Sequence, residues 1–221
     1  MNQELWTNVD AYLADLLLPG DAALDAALAA SAAAGLPAIN VSPTQGKLLY
    51  LVVRLCRAER ILEIGTLGGY STLWLARALP THGFVVTLEI DPRHAAVAQG
   101  NFDRAGLAER IELRLAPARE SLARLVAEQV APFDFVFIDA DKPSAPEYFA
   151  AALELTHPGS VIIVDNVVRQ GAVIDAASSD ANVQGVRRLL REIGRQSRVT
   201  ATTLQTVGLK GYDGFVLAVV N

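Results

Sequence analysis

Hydrophobic positions follow two different rhythms along the chain. Over the first 57 residues they recur at helical spacing. Residues 5–18 form one such stretch and stop at Pro19-Gly20; residues 21–34 form an Ala-rich stretch opened by Asp21 and closed before Gly35; Ser42-Pro43 opens a third that runs to about residue 57. An Asp or Ser N-cap accepts from the free N–H groups of a first turn, Pro at the next position has no N–H to lose, and Gly tolerates a left-handed end. From Arg60 onward short apolar runs alternate with longer helical patterns. Strands are predicted at 60–64, 84–89, 111–115, 133–138 and 161–164, with helices at 70–79, 92–105, 118–128 and 145–155 between them. Continuously apolar strands separated by helices build a parallel sheet covered on both faces. A further helix, from 182 to about 195, precedes two strands at 199–206 and 214–220. No helix separates these two, so they are expected to pair antiparallel at one edge, joined by residues 207–213. The expected fold is a doubly wound α/β domain with a seven-stranded, mostly parallel sheet. It comprises a helical N-terminal lobe (1–57) and an α/β core (58–221).

Composition narrows the function classes. Apolar residues make up 52% of the 221 positions and charged residues 19%, which excludes a disordered chain. The net charge of −5 and the lack of any Lys/Arg run argue against a nucleic-acid partner. A single cysteine, Cys56, excludes an internal disulfide and a multi-cysteine metal site. Apolar runs such as 48–53 fall far short of the roughly 18 residues that a membrane helix needs. The first ten residues include Glu4 and Asp10 and carry no basic leader, so a cytoplasmic protein is expected.

In open α/β sheets ligands bind beyond the carboxyl ends of the strands, so the residues just after each strand matter most. The first strand runs into Glu63-Ile64-Gly65-Thr66-Leu67-Gly68-Gly69-Tyr70-Ser71. Three glycines in five residues give a tight turn that a ligand can approach closely, although the G-x-G-x-x-G dinucleotide pattern is absent. The second strand ends in Glu89, a carboxylate placed to accept the hydroxyls of a ribose. Turn and acid together point to a nucleotide-like cofactor; the plainer alternative is a glycine turn and a solvated glutamate. The fourth strand ends in Asp139-Ala140-Asp141-Lys142 and the fifth in Asp165-Asn166. In a 3-2-1-4-5 strand order these two are neighbours about 4.8 Å apart, which brings Asp139, Asp165 and Asn166 together. Adjacent carboxylates at the ends of apolar strands repel unless a cation or proton lies between them. Two carboxylates and an amide carbonyl suit Mg²⁺, Mn²⁺ or Ca²⁺ rather than Zn²⁺. The competing role for the two aspartates is capping of the next helix or loop.

Glu63–Ser71 (EIGTLGGYS), residues 133–142 (FDFVFIDADK) and Val164-Asp165-Asn166 resemble, in this order, the cation-dependent O-methyltransferases. That family includes the caffeoyl-CoA and catechol O-methyltransferases and bacterial relatives, and the resemblance spans residue 42 to the C-terminus. It implies the Rossmann-like methyltransferase fold, S-adenosylmethionine as cofactor, and a divalent cation, Mg²⁺ above all, at the hydroxyl of a catechol-like aromatic. Carried over by position, Asp139, Asp165 and Asn166 would hold the cation. Glu63, Gly65, Thr66, Ser71 and Glu89 would meet the cofactor, with Ala118 by the adenine, Asp139 and Asp141 near the cofactor, and the backbone of Val41 by its amino-acid end. The sequence departs from the family at Ala116, where Gly is usual, and at Arg169, where many relatives carry an aromatic residue.

Asp139 and Lys142 are the candidate catalytic residues. Lys142 is the general base that position allows, with a salt bridge to a neighbouring acid as its other role. His82, His94 and His157 sit at no strand carboxyl end and are expected at the surface. Tyr70 and Tyr148 fall near the expected site. Arg187, Arg188, Arg191, Arg195 and Arg198 keep a second reading open, methylation of a hydroxylated tRNA base by the same site. A non-enzymatic nucleotide-binding module is a third. The apolar, charge-poor stretch 22–39 is expected to make a homodimer interface.

Overall fold

The computed structural model describes residues 2–221. Three helices, α1 (Gln3–Leu17), α2 (Ala22–Ala33) and α3 (Pro43–Leu55), precede the sheet. Asp21 caps α2 by accepting from the N–H groups of Ala23 and Leu24, and Ser42 caps α3 by accepting from Gln45. The core then alternates β1 (Arg60–Ile64), α4 (Tyr70–Ala78), β2 (Phe84–Glu89), α5 (Pro92–Arg104), β3 (Ile111–Leu115), α6 (Ala118–Ala127), β4 (Phe133–Ile138), α7 (Ala145–Glu154) and β5 (Thr156–Asp165). It closes with α8 (Ala181–Ile193), β6 (Val199–Gly208) and β7 (Gly211–Val220).

The seven strands lie in the order β3-β2-β1-β4-β5-β7-β6, with β7 antiparallel to both neighbours. Alternate strand residues feed two cores, as the period of two requires. Leu62, Val86, Val136 and Ile162 pack beneath α6, α7 and α8. Ile61, Val85, Phe135 and Ile163 pack beneath α3, α4 and α5. Helices therefore cover both faces, and the carboxyl ends of the parallel strands form the open rim.

Two features differ from the sequence expectation. β5 begins at Thr156 rather than at residue 161, because Thr156 already pairs with Phe133 and the Ser160 hydroxyl donates to the Phe133 carbonyl at 2.8 Å. Pro158 and Gly159 interrupt the apolar run there, and a register shift between Phe133 and Phe135 absorbs them. The β6–β7 connection is not 207–213 but a two-residue turn, Leu209-Lys210, with Gly211 at φ +93°. The polar faces of these late strands hide their length.

Register decides which residues meet at the rim. Ile64 lies opposite Leu88, so Gly65 and Glu89 emerge side by side. Ile138 lies opposite Val164, so Asp139 and Asp165 do likewise.

Candidate active site

The glycine turn after β1 is packed against the end of β4. Gly65 takes φ +103°, and a Cβ there would collide with the carbonyl oxygen of Asp139. Gly69, at φ +80°, starts α4 with no room for a side chain against Phe102. Beyond this turn opens a cavity of about 660 Å³ at the rim. Val41, Gly65, Thr66, Ser71, Glu89, Ala118, Asp139 and Asp141 all line it, together with Lys142 and Asn166. A second cavity of about 280 Å³ lies between α1, α3 and the β6–β7 turn; Asp165 lines it, and Asn166 lines both.

Glu63 is the exception among the expected cofactor residues. It is fully buried behind the turn and is absent from the cavity wall. Its Oε1 accepts from the Ser71 hydroxyl at 2.6 Å, and its Oε2 accepts from Thr72 and, at 2.7 Å, from Thr87. Burial pushes its carboxyl up to about 7 against the pull of these three hydroxyls. Its place in the structure is to hold the glycine turn and the start of α4.

Glu89 reaches the cavity but is already engaged. Its Oε1 accepts from the N–H groups of Ile90 (2.8 Å) and Asp91 (2.9 Å), and its Oε2 accepts from Leu67 (2.7 Å). Two oxygens offer about four acceptor sites, so Oε2 keeps capacity for one more donor. His94, expected at the surface, instead lines the cavity with its Nδ1 3.6 Å from Glu89 Oε1. Helix α5 turns back over the end of β2, and a strand-end rule does not register that return.

At the centre of the rim Asp139 Oδ1 accepts from Lys142 Nζ at 2.8 Å. Asp165 is buried; its Oδ1 accepts from the Asn166 N–H at 2.8 Å and its Oδ2 from Gln45 Nε2 at 2.6 Å. Burial first, and then the charge of Asp139, drives the Asp165 carboxyl up to about 7. Asp165 is buried and Asp139 half-buried, and Lys142, bonded to Asp139, is the cation whose charge opposes that rise. Among the described residues no group of three or more His, Cys, Asp and Glu forms a metal cluster. The donors that fit a hard cation here are the two carboxylates and the Asn166 amide oxygen. Gln45, which sequence reasoning missed, orients Asp165 from the first turn of α3. Its signal was its position just inside the Ser42-Pro43 cap.

Asp141 faces the same cavity. Burial alone would raise its carboxyl, but hydrogen bonds from Ser144 and from the Tyr148 hydroxyl hold it below the usual range. Tyr148 is correspondingly pushed up to about 12, by burial and by Asp141. Tyr70 also lines the cavity.

Three members of the arginine cluster are engaged by the backbone, while Arg191 and Arg195 are exposed. Arg187, Arg188 and Arg198 donate to the backbone carbonyls of Val173, Pro143 and Leu153. His157 lies within β5, where its Nε2 is 2.8 Å from Asp134 Oδ1 at the end of the strands opposite the rim.

A glycine-turn cavity beside two strand-end acids, at the rim of a sheet in this order with β7 reversed, defines the class of Rossmann-like methyltransferases. The sequence matches the O-methyltransferase family over residues 22–219. It is 53% identical to a catechol O-methyltransferase of Niastella koreensis, over the full length of both chains. The fold matches an O-methyltransferase from Bacillus cereus, solved with S-adenosylhomocysteine, at TM-score 0.97 and 56% identity over 99% of each chain. It also matches the Streptomyces achromogenes O-methyltransferase TomG, solved with S-adenosylmethionine, at TM-score 0.96 and 51% identity over 100% of this chain and 99% of that one. The chain belongs to the O-methyltransferase family and is an enzyme of that class.

Proposed function

We propose that this enzyme transfers the methyl group of S-adenosylmethionine to a hydroxyl of a catechol-like aromatic, with a divalent cation held by Asp139, Asp165 and Asn166. The observation that carries the reading is the paired emergence of Asp139 and Asp165 from β4 and β5, between a large cavity and a small one. The large cavity would hold the cofactor, with Glu89 available to the ribose hydroxyls, Ala118 at the adenine, and Ser71 and Val41 at the amino-acid end. The acceptor ring enters beside Asn166, where the cavities meet. When bound, the cation lowers the pKa of a phenol that is otherwise near 10, and it fixes the oxygen's position.

The chain's own residues supply the remainder. Gln45 holds Asp165 toward the site, and Asp139 holds Lys142 Nζ at its edge. Lys142 in its neutral form takes the hydroxyl proton; as an ammonium it is the partner of Asp139. The sulfonium is already activated, so alignment and an ionised oxygen provide the acceleration. Mass spectrometry of catechol incubated with cofactor and Mg²⁺ tests the reading, with a methylated product as the expected result.

A homodimer belongs to the same proposal, and residues 22–39 still expose Ile39. Leu24 and Ala27 of α2 are buried within the subunit. Further exposed apolar side chains stripe α1 (Leu5, Val9, Tyr12, Leu13, Leu16) and α3 (Leu48, Leu51, Leu55), and α1 contains no buried residue. Among the described residues no helix is long and apolar enough to cross a membrane.

A further inference from the structure

Arg169 lies three residues beyond Asn166 and lines the large cavity beside Lys142, Asn166 and Asn182. Its side chain is 31% exposed. Among the described residues its guanidinium donates no hydrogen bond: Nε is buried without a partner, and the carboxylate of Asp213 stays 3.9 Å from Nη1. That distance is too long for a hydrogen bond. Asp213 is engaged by the backbone instead, its Oδ1 accepting from the N–H groups of Val168 (2.9 Å), Arg169 (3.0 Å) and Gly214 (3.0 Å). Among the described residues Arg169 thus keeps only a long ion pair with Asp213, whereas Lys142 and Arg119 donate hydrogen bonds, to Asp139 and Ser144. The backbone that presents Arg169 is also unusual. Asn166, Arg169 and Gln170 all take left-handed φ of 54–56°, a region that non-glycine residues enter at a cost.

A half-buried planar fork of donors without a hydrogen-bond partner matches a carboxylate in shape and charge. Glu89, Asp139 and Asp141 also line this cavity, and Lys142 and Arg119 are already hydrogen-bonded, so Arg169 is the cation with its donors left for a ligand carboxylate. We propose that Arg169 selects acceptors that carry a carboxylate, its guanidinium pairing with that group while the hydroxyls reach Asp139, Asp165 and Asn166. The inference rests on the catechol-type reading above and adds to it the charge of the acceptor.

Calorimetry on the protein loaded with S-adenosylhomocysteine and Mg²⁺ tests it, comparing 3,4-dihydroxybenzoate with catechol. The wild type should bind the carboxylate at least about 10-fold more tightly, as expected for a charge-assisted contact. Arg169→Leu should bring that preference near unity, Arg169→Lys should restore part of it, and the ratio of kcat/KM for the two acceptors should change in parallel. Thermal melting shows which variants fold; if Arg169→Leu does not, Arg169→Gln replaces it. A wild type without preference, an equal loss for both acceptors, or a weakened cofactor with an unchanged acceptor ratio would each overturn the proposal. Methyl transfer to neither acceptor, with the binding preference intact, would refute the catechol reading and leave the carboxylate site standing. Binding of neither acceptor overturns both.

Discussion

At the scale of single residues, the site is held by acids that serve the backbone as much as a ligand. Glu89 ties Leu67, Ile90 and Asp91 together, so removing it loosens the turn as well as the proposed ribose contact. Glu89→Ala is expected to weaken S-adenosylmethionine binding by about 10- to 100-fold, the equivalent of one charge-assisted contact. Calorimetry giving an unchanged Kd would make Glu89 a backbone clamp alone. Glu63 yields a pH prediction. Its carboxyl titrates near 7 in the fold, against 4.5 for the ordinary group. The folded state therefore binds more protons in that window, and its contribution to stability falls as pH rises from about 4.5 to 7. Glu63→Gln should flatten the melting temperature of the cofactor-free protein across this range; a curve parallel to the wild type would refute the assignment. The strand-end acids were legible from the sequence because each comes directly after an apolar run. That Glu63 faces inward was not, since only the packing shows Ser71, Thr72 and Thr87 closing around it.

At the scale of elements, the glycine turn is the part most sensitive to substitution. Gly65→Ala places a methyl against the Asp139 carbonyl on a backbone at φ +103°. It should destabilise the protein by more than about 1 kcal/mol and abolish tight cofactor binding; denaturant titration and calorimetry read the two effects separately. The parallel strands and their helices could be read from apolar runs and capping residues. The first residues of β5 could not, because Pro158 and Gly159 mask them and only pairing with Phe133 and a hydrogen bond from Ser160 make them strand. Likewise, the Leu209-Lys210 turn lies in a stretch without an apolar rhythm, and its shape is fixed with α1, where Asp10 accepts from the Leu209 N–H at 2.7 Å.

At the scale of the whole molecule, the N-terminal helices close the small cavity and leave an apolar stripe on α1 and α3 uncovered. Light scattering should find about twice the 23.6 kDa chain mass at micromolar concentration, and a glutamate in place of both Leu13 and Leu51 should return it to a monomer with the same fold. The proposed mechanism turns on one assignment: the Asp139–Asp165 pair holds a cation needed for transfer and not for cofactor binding. Methyl transfer and S-adenosylmethionine affinity, measured in parallel in EDTA and after readdition of Mg²⁺, decide it for the wild type and Asp165→Ala. EDTA is expected to abolish transfer while affinity holds, Mg²⁺ to restore the wild type, and Asp165→Ala to resist rescue. Full transfer in EDTA, with no metal found by elemental analysis, would refute the assignment.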